Sequence, residues 1–577
     1  MTIFGGKGKL FVLSILVGLM TAIAVVILKT LAHSCNYLVV SLVQRAVWMQ
    51  WLYPAFPALG ILFCILFVRF ILRREQYVKS LDSVIQATTD GSGEIPFYHT
   101  FAHILTSGIA VGLGGSAGLE APSAFTGSAI GSNCAKWLKL SKESRVLLLA
   151  CGGAAGIAAV FNSPIAGTLF ACEILLPAFS LPALAPLLMA SATAALLASW
   201  LYAGPHFIQW DFAWNMMDVP SYLLIGLVCG LVSAYIIKLT LLVSRQMARV
   251  RSIWLKGLLG SGILYGFFLL FPQLMGEGYK YISALAKGQL EQITSGPLLV
   301  FFDHPLLLLI LLPLFFLIKP LVSGLSIESG GDGGIFGPSL FCGAFLGYFL
   351  YRVLTLMGIP GLSSGAFICA GMGGILAGVM HAPLTGIFLI AELTGGFKLF
   401  VPLMIVSALS SFVSKNLTRF NLYKSMIAQK GIVPEPKEEQ LFLEHGLVRQ
   451  AMQTNFVAFR QNQPLRELLK TMLETRQDFY PVLEEDGGLA GIIREEDIRP
   501  FFLSEGVYDL LLACDVMLPP DPILHSSDTL QKASLFFDRM KRWYLPVCEN
   551  GRFVGYLSKA EVLEQYRHKL NEKVDLF

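Results

Sequence analysis

Apolar stretches long enough to cross a bilayer recur along this chain up to about residue 413, and they leave it few ways to fold. A spanning helix needs about 20 largely apolar residues, and Leu52–Leu72, Tyr222–Val243, Trp254–Phe271 and Pro305–Val322 qualify. Charged residues make up only 14% of the sequence, where a soluble domain carries about 25%, so lipid is the solvent for much of the chain. The run Leu10–Ala32 behind Lys7 and Lys9 is longer than a signal-peptide core of about 7–15 residues. It reads as the first membrane helix, with the two lysines as its cytoplasmic anchor. The net charge of +4 is spread along the chain without a basic block, which excludes nucleic acid as a partner. The ten cysteines form no C-x-x-C pair, so neither a disulfide framework nor a zinc site is expected.

Other apolar segments (108–131, 150–176, 324–349 and 365–394) are shorter and broken by Gly and Pro. Such breaks are tolerated at membrane depth only where protein covers them or they line a cavity. They also come in pairs. Gly115-Ser-Ala-Gly118-Leu119-Glu120-Ala121-Pro122-Ser123 is echoed by Gly331-Asp-Gly-Gly334-Ile335-Phe336-Gly337-Pro338-Ser339. Gly152, Pro164, Gly167 and Glu173 are echoed by Gly371, Pro383, Gly386 and Glu392. Two motif pairs in one order at nearly one offset mean an internal repeat, and interrupted helices in corresponding places of two halves point to the binding site.

Around residue 430 the composition becomes that of a soluble protein, through the linker Gly431-Ile-Val-Pro434-Glu-Pro436. Two similar units follow, built around Tyr480-Pro481-Val482 with Gly491 and around Leu545-Pro546-Val547 with Gly555. Each reads as helix, strand, turn, strand and closing helix. The boundaries are therefore a membrane domain over 1–430 and a small α/β tandem over 431–577.

The Gly-rich segments carry the chemistry. Glycines let backbone N–H groups approach a ligand, and Pro122 suits the first turn of a helix. A helix N-terminus presents free N–H donors and a partial positive charge, so it favours an anion. Two such starts from inverted halves would meet around a dehydrated anion. Glu120 lies at one of them. An ionisable group in a membrane segment is a functional candidate. Its carboxylate can occupy the anion's place and leave it on protonation; the plainer alternative is a cap on the helix dipole.

These motifs resemble those of the CLC family of chloride channels and transporters. Gly118-Leu119-Glu120-Ala121-Pro122 is similar to its G-[RKL]-E-[GA]-P motif, Gly333-Gly-Ile-Phe336-Gly-Pro338 to G-G-x-F-x-P, and Phe161-Asn-Ser-Pro164-Ile-Ala-Gly167 to F-N-x-P-[LI]-[AG]-G. Tyr423 lies where the family keeps a pore tyrosine, and the tail resembles a pair of CBS domains. The resemblance implies an all-α polytopic membrane protein, a CLC-type inverted repeat of broken helices, followed by a small α/β CBS pair on the cytoplasmic side. It implies a homodimer in the plasma or inner membrane, with one path per subunit for small anions. Glu120 would be the gate. Gly118, the backbones of Ile335 and Phe336, and the Tyr423 hydroxyl would hold the anion.

Departures from the family pattern matter as much. Counting back from Glu120 puts Lys79 where the family has a serine that contacts the anion; the polar loop Gly91-Ser-Gly-Glu-Ile-Pro96 is the weaker alternative. A lysine there would draw anions in, pair with Glu120 or reach for water, and it leaves bicarbonate, nitrate and fluoride open beside chloride. Ile174 stands where proton-coupled relatives often carry a glutamate, which favours passive conduction. Glu173, matched by Glu392, reads as structural. In the CBS pair, Asp497 follows Arg494 where a nucleotide site would have a hydroxyl, while Ser558 and Glu561 keep the pattern. Bracing a dimer is the preferred role of the tail, with adenine-nucleotide binding second; no other cofactor is implied.

Catalysis is set aside. Gly361-Leu-Ser363-Ser-Gly365 lacks the strand–turn–helix setting of a hydrolase elbow, and H-E-x-x-H is missing. The function expected is a channel or uniporter for small inorganic anions, chloride foremost, gated by Glu120. An anion/proton exchanger and a non-conducting nucleotide sensor are the rivals.

Overall fold

The computed structural model describes residues 6–45, 49, 51–74, 77–176, 181–202, 214–294, 307–395, 397–431, 442–443, 446–475, 477, 479–502 and 505–574. The linker residues Pro434 and Pro436, and Pro305 at the start of one expected span, lie outside them. The chain forms two compact units, Met1–Pro434 and Glu435–Phe577.

The first unit is helical. Its first half comprises α1 (Gly6–Val43), α2 (Phe56–Leu66), α3 (Asp82–Thr89), α4 (His99–Gly112), α5 (Glu120–Trp137), α6 (Lys142–Phe161), α7 (Pro164–Phe170) and α8 (Leu181–Leu201). The second comprises α9 (Val219–Ala248), α10 (Ile253–Leu270), α11 (Tyr279–Ala286), α12 (Glu291–Thr294), α13 (Leu307–Glu328), α14 (Phe336–Leu356), α15 (Ser364–Met380), α16 (Pro383–Leu393), α17 (Phe400–Leu417) and α18 (Leu422–Gln429). Nine helical spans among the described residues are long and apolar enough to cross a bilayer. Leu196, Leu258, Ile310 and Phe412 stand exposed on the outside, as lipid-facing positions do.

The helix α5 is not among those nine. It is rich in Gly, Ala and Ser, and every residue from Glu120 to Ala135 is buried. Small residues let its backbone touch α6: a Cβ on Gly127 would lie 2.0 Å from the Gly152 carbonyl oxygen. The repeat does the same between α14 and α15, where a Cβ on Gly343 would lie 2.4 Å from Gly371 O. Membrane helices pack closely through such small residues.

The second pair of motifs turns both chains alike. Asn162 (φ 56°) and His381 (φ 53°) end α6 and α15 in the left-handed conformation. Pro164 and Pro383 then open α7 and α16 in the first-turn position that tolerates proline. The two short helices pack together, and each is capped by its mate's glutamate. Glu392 accepts from the N–H groups of Ile165 (3.1 Å) and Ala166 (2.9 Å). Glu173 accepts from Leu384 N–H (3.0 Å), Thr385 N–H (2.7 Å) and the Thr385 hydroxyl (2.7 Å). Both carboxylates satisfy helix-start donors that lipid would leave unpaired.

The second unit holds two small sheets. In the first, β1 (Phe459–Arg460) runs parallel to β2 (Phe479–Leu483), which pairs antiparallel with β3 (Leu489–Arg494). In the other, β4 (Tyr544–Glu549) pairs antiparallel with β5 (Arg552–Ser558). Pro481 faces Ile492 as Pro546 faces Tyr556, so the two halves share one design. A cluster of Phe479, Ile492, Cys548, Phe553 and Tyr556 joins them. The short parallel strand β1 was not expected from the sequence.

Replacing Glu392 by alanine leaves the Ile165 and Ala166 N–H groups unpaired, so Glu392→Ala should lose about 1–3 kcal/mol of stability. A lower melting temperature in detergent checks this; an unchanged one would remove Glu392 from the capping role.

Candidate functional site

The starts of α5 and α14 meet. Gly118 N–H donates to Gly334 O and Gly334 N–H to Gly118 O, both at 2.8 Å, so the two Gly-rich segments form a miniature antiparallel ladder. Side chains would not fit there. A Cβ on Gly118 would lie 2.0 Å from Glu120 Oε2, and Gly333 adopts φ 152°. The bridge aims two helix N-termini, each equivalent to about half a positive charge, at one place.

Glu120 fills that place. It is 1% exposed, and its Oε2 accepts from Gly337 N–H in the first turn of α14 at 3.2 Å. The Tyr279 hydroxyl donates to Oε1. A side chain of one repeat is thus bound by the helix start of the other. Phe336 is buried against Phe161 (5.7 Å between ring centroids) and Phe170 (6.4 Å), which closes the apolar side of the junction.

Beneath it opens a cavity of about 850 Å³ lined by Lys79, Ile335 and Tyr423. Its wall is basic: Arg69, Arg74, Lys79, Arg245, Arg251 and Lys256 face Asp82 and Glu328. Lys430 pairs with Asp82. A cleft lined mostly by one sign of charge concentrates ions of the other. Tyr423 is 3% exposed, and its hydroxyl has no hydrogen-bond partner among the described residues. Buried hydroxyls are rarely left unpaired, so this one is a free donor at the cavity wall.

Lys79 precedes α3 and lines the cavity; the loop Gly91–Pro96 lies beyond the other end of that helix. Its ammonium donates to Ile327 O at 3.2 Å, while Glu120 is bound by Tyr279 and Gly337. Ile174 is 2% exposed within the apolar core. In the second unit the Arg494 guanidinium grips Asp497 with two hydrogen bonds, at 2.9 and 2.8 Å. Ser558 Oγ accepts from Glu561 N–H (3.0 Å), and Glu561 accepts from Gln453 (3.1 Å).

Two groups escaped sequence reasoning. Tyr279 lies far along the chain from Glu120, and its only signal was an acid between glycines, Gly276-Glu277-Gly278, beside it. Asp332 sits in the Gly-rich turn before α14, 2% exposed. It is bound by His103 Nδ1 at 2.8 Å, by the Thr106 hydroxyl, and by the Tyr77 hydroxyl at 3.4 Å. His103 in turn contacts His99 at 3.1 Å, and Tyr77 reaches the cavity wall.

Two inverted halves with broken helices, whose starts converge on a buried carboxylate above a basic cavity, define a polytopic membrane protein built to handle anions. Comparison with known proteins gives the family. The model of the voltage gated chloride channel family matches residues 59–415, and that of the CBS domain matches 448–504 and 513–568. The chain belongs to this CLC family of anion-transport proteins and carries a CBS pair. It is 30% identical to a ClcB-like protein of Ralstonia nicotianae over 353 residues, 59% of this chain and 77% of that protein. It is 29% identical to the voltage-gated ClC-type chloride channel ClcB of Escherichia coli over 332 residues, 56% and 73% of the two chains. A slow cyanobacterial Cl⁻/H⁺ antiporter shares the fold at TM-score 0.63 and 21% identity, covering 74% of this chain and 98% of that one. A eukaryotic CLC transporter does so at TM-score 0.58 and 18% identity, covering 96% and 98%.

Removing the Asp332 carboxylate leaves His103, Thr106 and Tyr77 without their buried acceptor. Asp332→Ala should therefore lose about 3 kcal/mol or more, read as a fall in melting temperature; a variant as stable as the parent would make the cluster dispensable.

Proposed function

We propose that this protein conducts small inorganic anions passively, as a channel or uniporter, with chloride the foremost substrate and Glu120 as the gate. The observation that carries this is the Glu120 carboxylate seated on the Gly337 N–H where two helix starts converge. An anion arriving there needs the same donors. The ionised side chain competes with it, and the protonated side chain releases the donors. Tyr423, with its free hydroxyl on the cavity wall, offers the next donor inward, and Ile335 and Gly118 frame the step between them. The basic cavity supplies the ion.

Passive conduction follows from Ile174, whose aliphatic side chain holds no proton. One observation favours anion/proton exchange instead. The hydrogen-bonded set His99, His103, Asp332 and Tyr77 reaches the cavity wall and offers titratable groups that Ile174 does not. Purified protein in liposomes under an anion gradient, with internal pH recorded, separates the two. Anion flux without proton movement supports a channel or uniporter; protons driven uphill overturn it in favour of exchange.

For the tail, the Arg494–Asp497 clasp supports a bracing role in a homodimer on the cytoplasmic side, because the aspartate is committed to its own turn rather than to a ribose. Ser558 and Glu561 keep the arrangement an adenine nucleotide would use. Isothermal titration with ATP and AMP decides between the two.

Glu120→Gln should raise flux at neutral pH and should flatten its pH dependence. A pH profile identical to the parent's would end the gating role. Lys79→Ser should move the permeability series toward chloride over bicarbonate, nitrate and fluoride, measured as reversal potentials; an identical series would place Lys79 off the path.

A further inference from the structure

The turn Met275–Tyr279, between α10 and α11, lies against the start of α5. Gly276 N–H donates to Gly114 O at 3.0 Å, and Lys319 of α13 holds the turn from the far side. Lys319 is fully buried and donates to Leu274 O at 3.0 Å and Gly276 O at 2.7 Å. Two side chains leave this turn for the α5 start. Tyr279 binds the Glu120 carboxylate, and Glu277 Oε1 accepts from Leu119 N–H, the residue before Glu120, at 3.2 Å.

Two carboxylates therefore share one helix start. The charged and titratable groups facing Glu277 are Glu120 of α5, Lys29 of α1, Lys319 of α13, Tyr202 after α8 and Tyr279 of its own turn. Lys29 donates to Val160 O at 3.1 Å and lies 4.2 Å from the centre of the Tyr202 ring. Burial and the neighbouring Glu120 carboxylate push the proton affinity of Glu277 up, and the Leu119 N–H with the two lysines pulls it back down. Negative charge on either carboxylate makes the other harder to ionise, so the two compete for one proton.

We propose that the Glu277/Tyr279 turn is a positioning device that sets the proton affinity of Glu120, and hence the pH at which the path opens. Its two side chains act with opposite sign. Glu277 repels the ionised Glu120 and so promotes protonation and opening. Tyr279 donates to the ionised Glu120 and so promotes closure. This rests on Glu120 being the gate.

The test is chloride efflux from proteoliposomes across a pH series, with full-length protein checked for a single symmetric peak in size exclusion. Glu277→Gln keeps an oxygen for the Leu119 N–H but loses the charge. Its opening midpoint should move about one unit to acid, cutting flux at neutral pH up to tenfold. Tyr279→Phe should move the midpoint to alkaline. Neither shift should survive in a Glu120→Gln background. A Glu277→Gln midpoint that stays in place or moves to alkaline overturns the inference. So does a uniform loss of flux that persists with Glu120→Gln, because that is a structural effect. If Glu277→Gln does not assemble, Glu277→Asp, which keeps the charge, must assemble and keep the parent midpoint; its failure also overturns the inference. The gate reading fails separately: Glu120→Gln would then retain the parent pH profile, whatever Glu277 does.

Discussion

The meeting of the two repeats rests on the two hydrogen bonds between Gly118 and Gly334. They tie the repeats together at the breaks that open α5 and α14. Irregular backbone at membrane depth survives only when its polar groups find protein partners; here each repeat supplies the other's. The same contact turns α5 and α14 so that their free donors face a common point. The convergence of free donors is therefore a by-product of how the broken helices satisfy each other, and the group they meet is the Glu120 carboxylate. Lys79 and Lys319 bind backbone carbonyls instead.

Much of this was legible in the sequence because it repeats. The echo of Gly-x-x-x-Pro-Ser between residues 118–123 and 334–339 located both helix starts, and the echo of Pro164 and Glu173 in Pro383 and Glu392 located the capped pair. Composition alone would have missed α5, whose polar, small-residue sequence is not apolar enough to stand out as a span although it is buried along nearly its whole length. The turn carrying Glu277 and Tyr279 was illegible for a physical reason. It contacts Glu120 only through the tertiary fold, more than 150 positions along the chain. Asp332 was hidden likewise, inside a glycine run read only for its backbone.

The basic cavity and the apolar Ile174 pull the functional reading in one direction, and the His103–Asp332–Tyr77 set complicates it. A proton route needs titratable groups within hydrogen-bond reach, not a particular residue at one position. Lys79 bears on the same question. It adds a cation to a wall that is already mostly basic, and a cleft lined by one sign of charge concentrates ions of the other.

Repeat symmetry also separates two kinds of buried carboxylate that composition cannot distinguish. Glu173 and Glu392 occupy equivalent places and each caps the other's helix, as a twofold-related structural device must. Glu120 has no carboxylate mate; its equivalent position is Phe336, which packs. A group present in one half only cannot be required by the fold that both halves share. It is free to be spent on function, and its cost in the membrane has to be met by local partners. Tyr279, from the turn ahead of α11 in the second half, meets part of that cost by donating to the carboxylate.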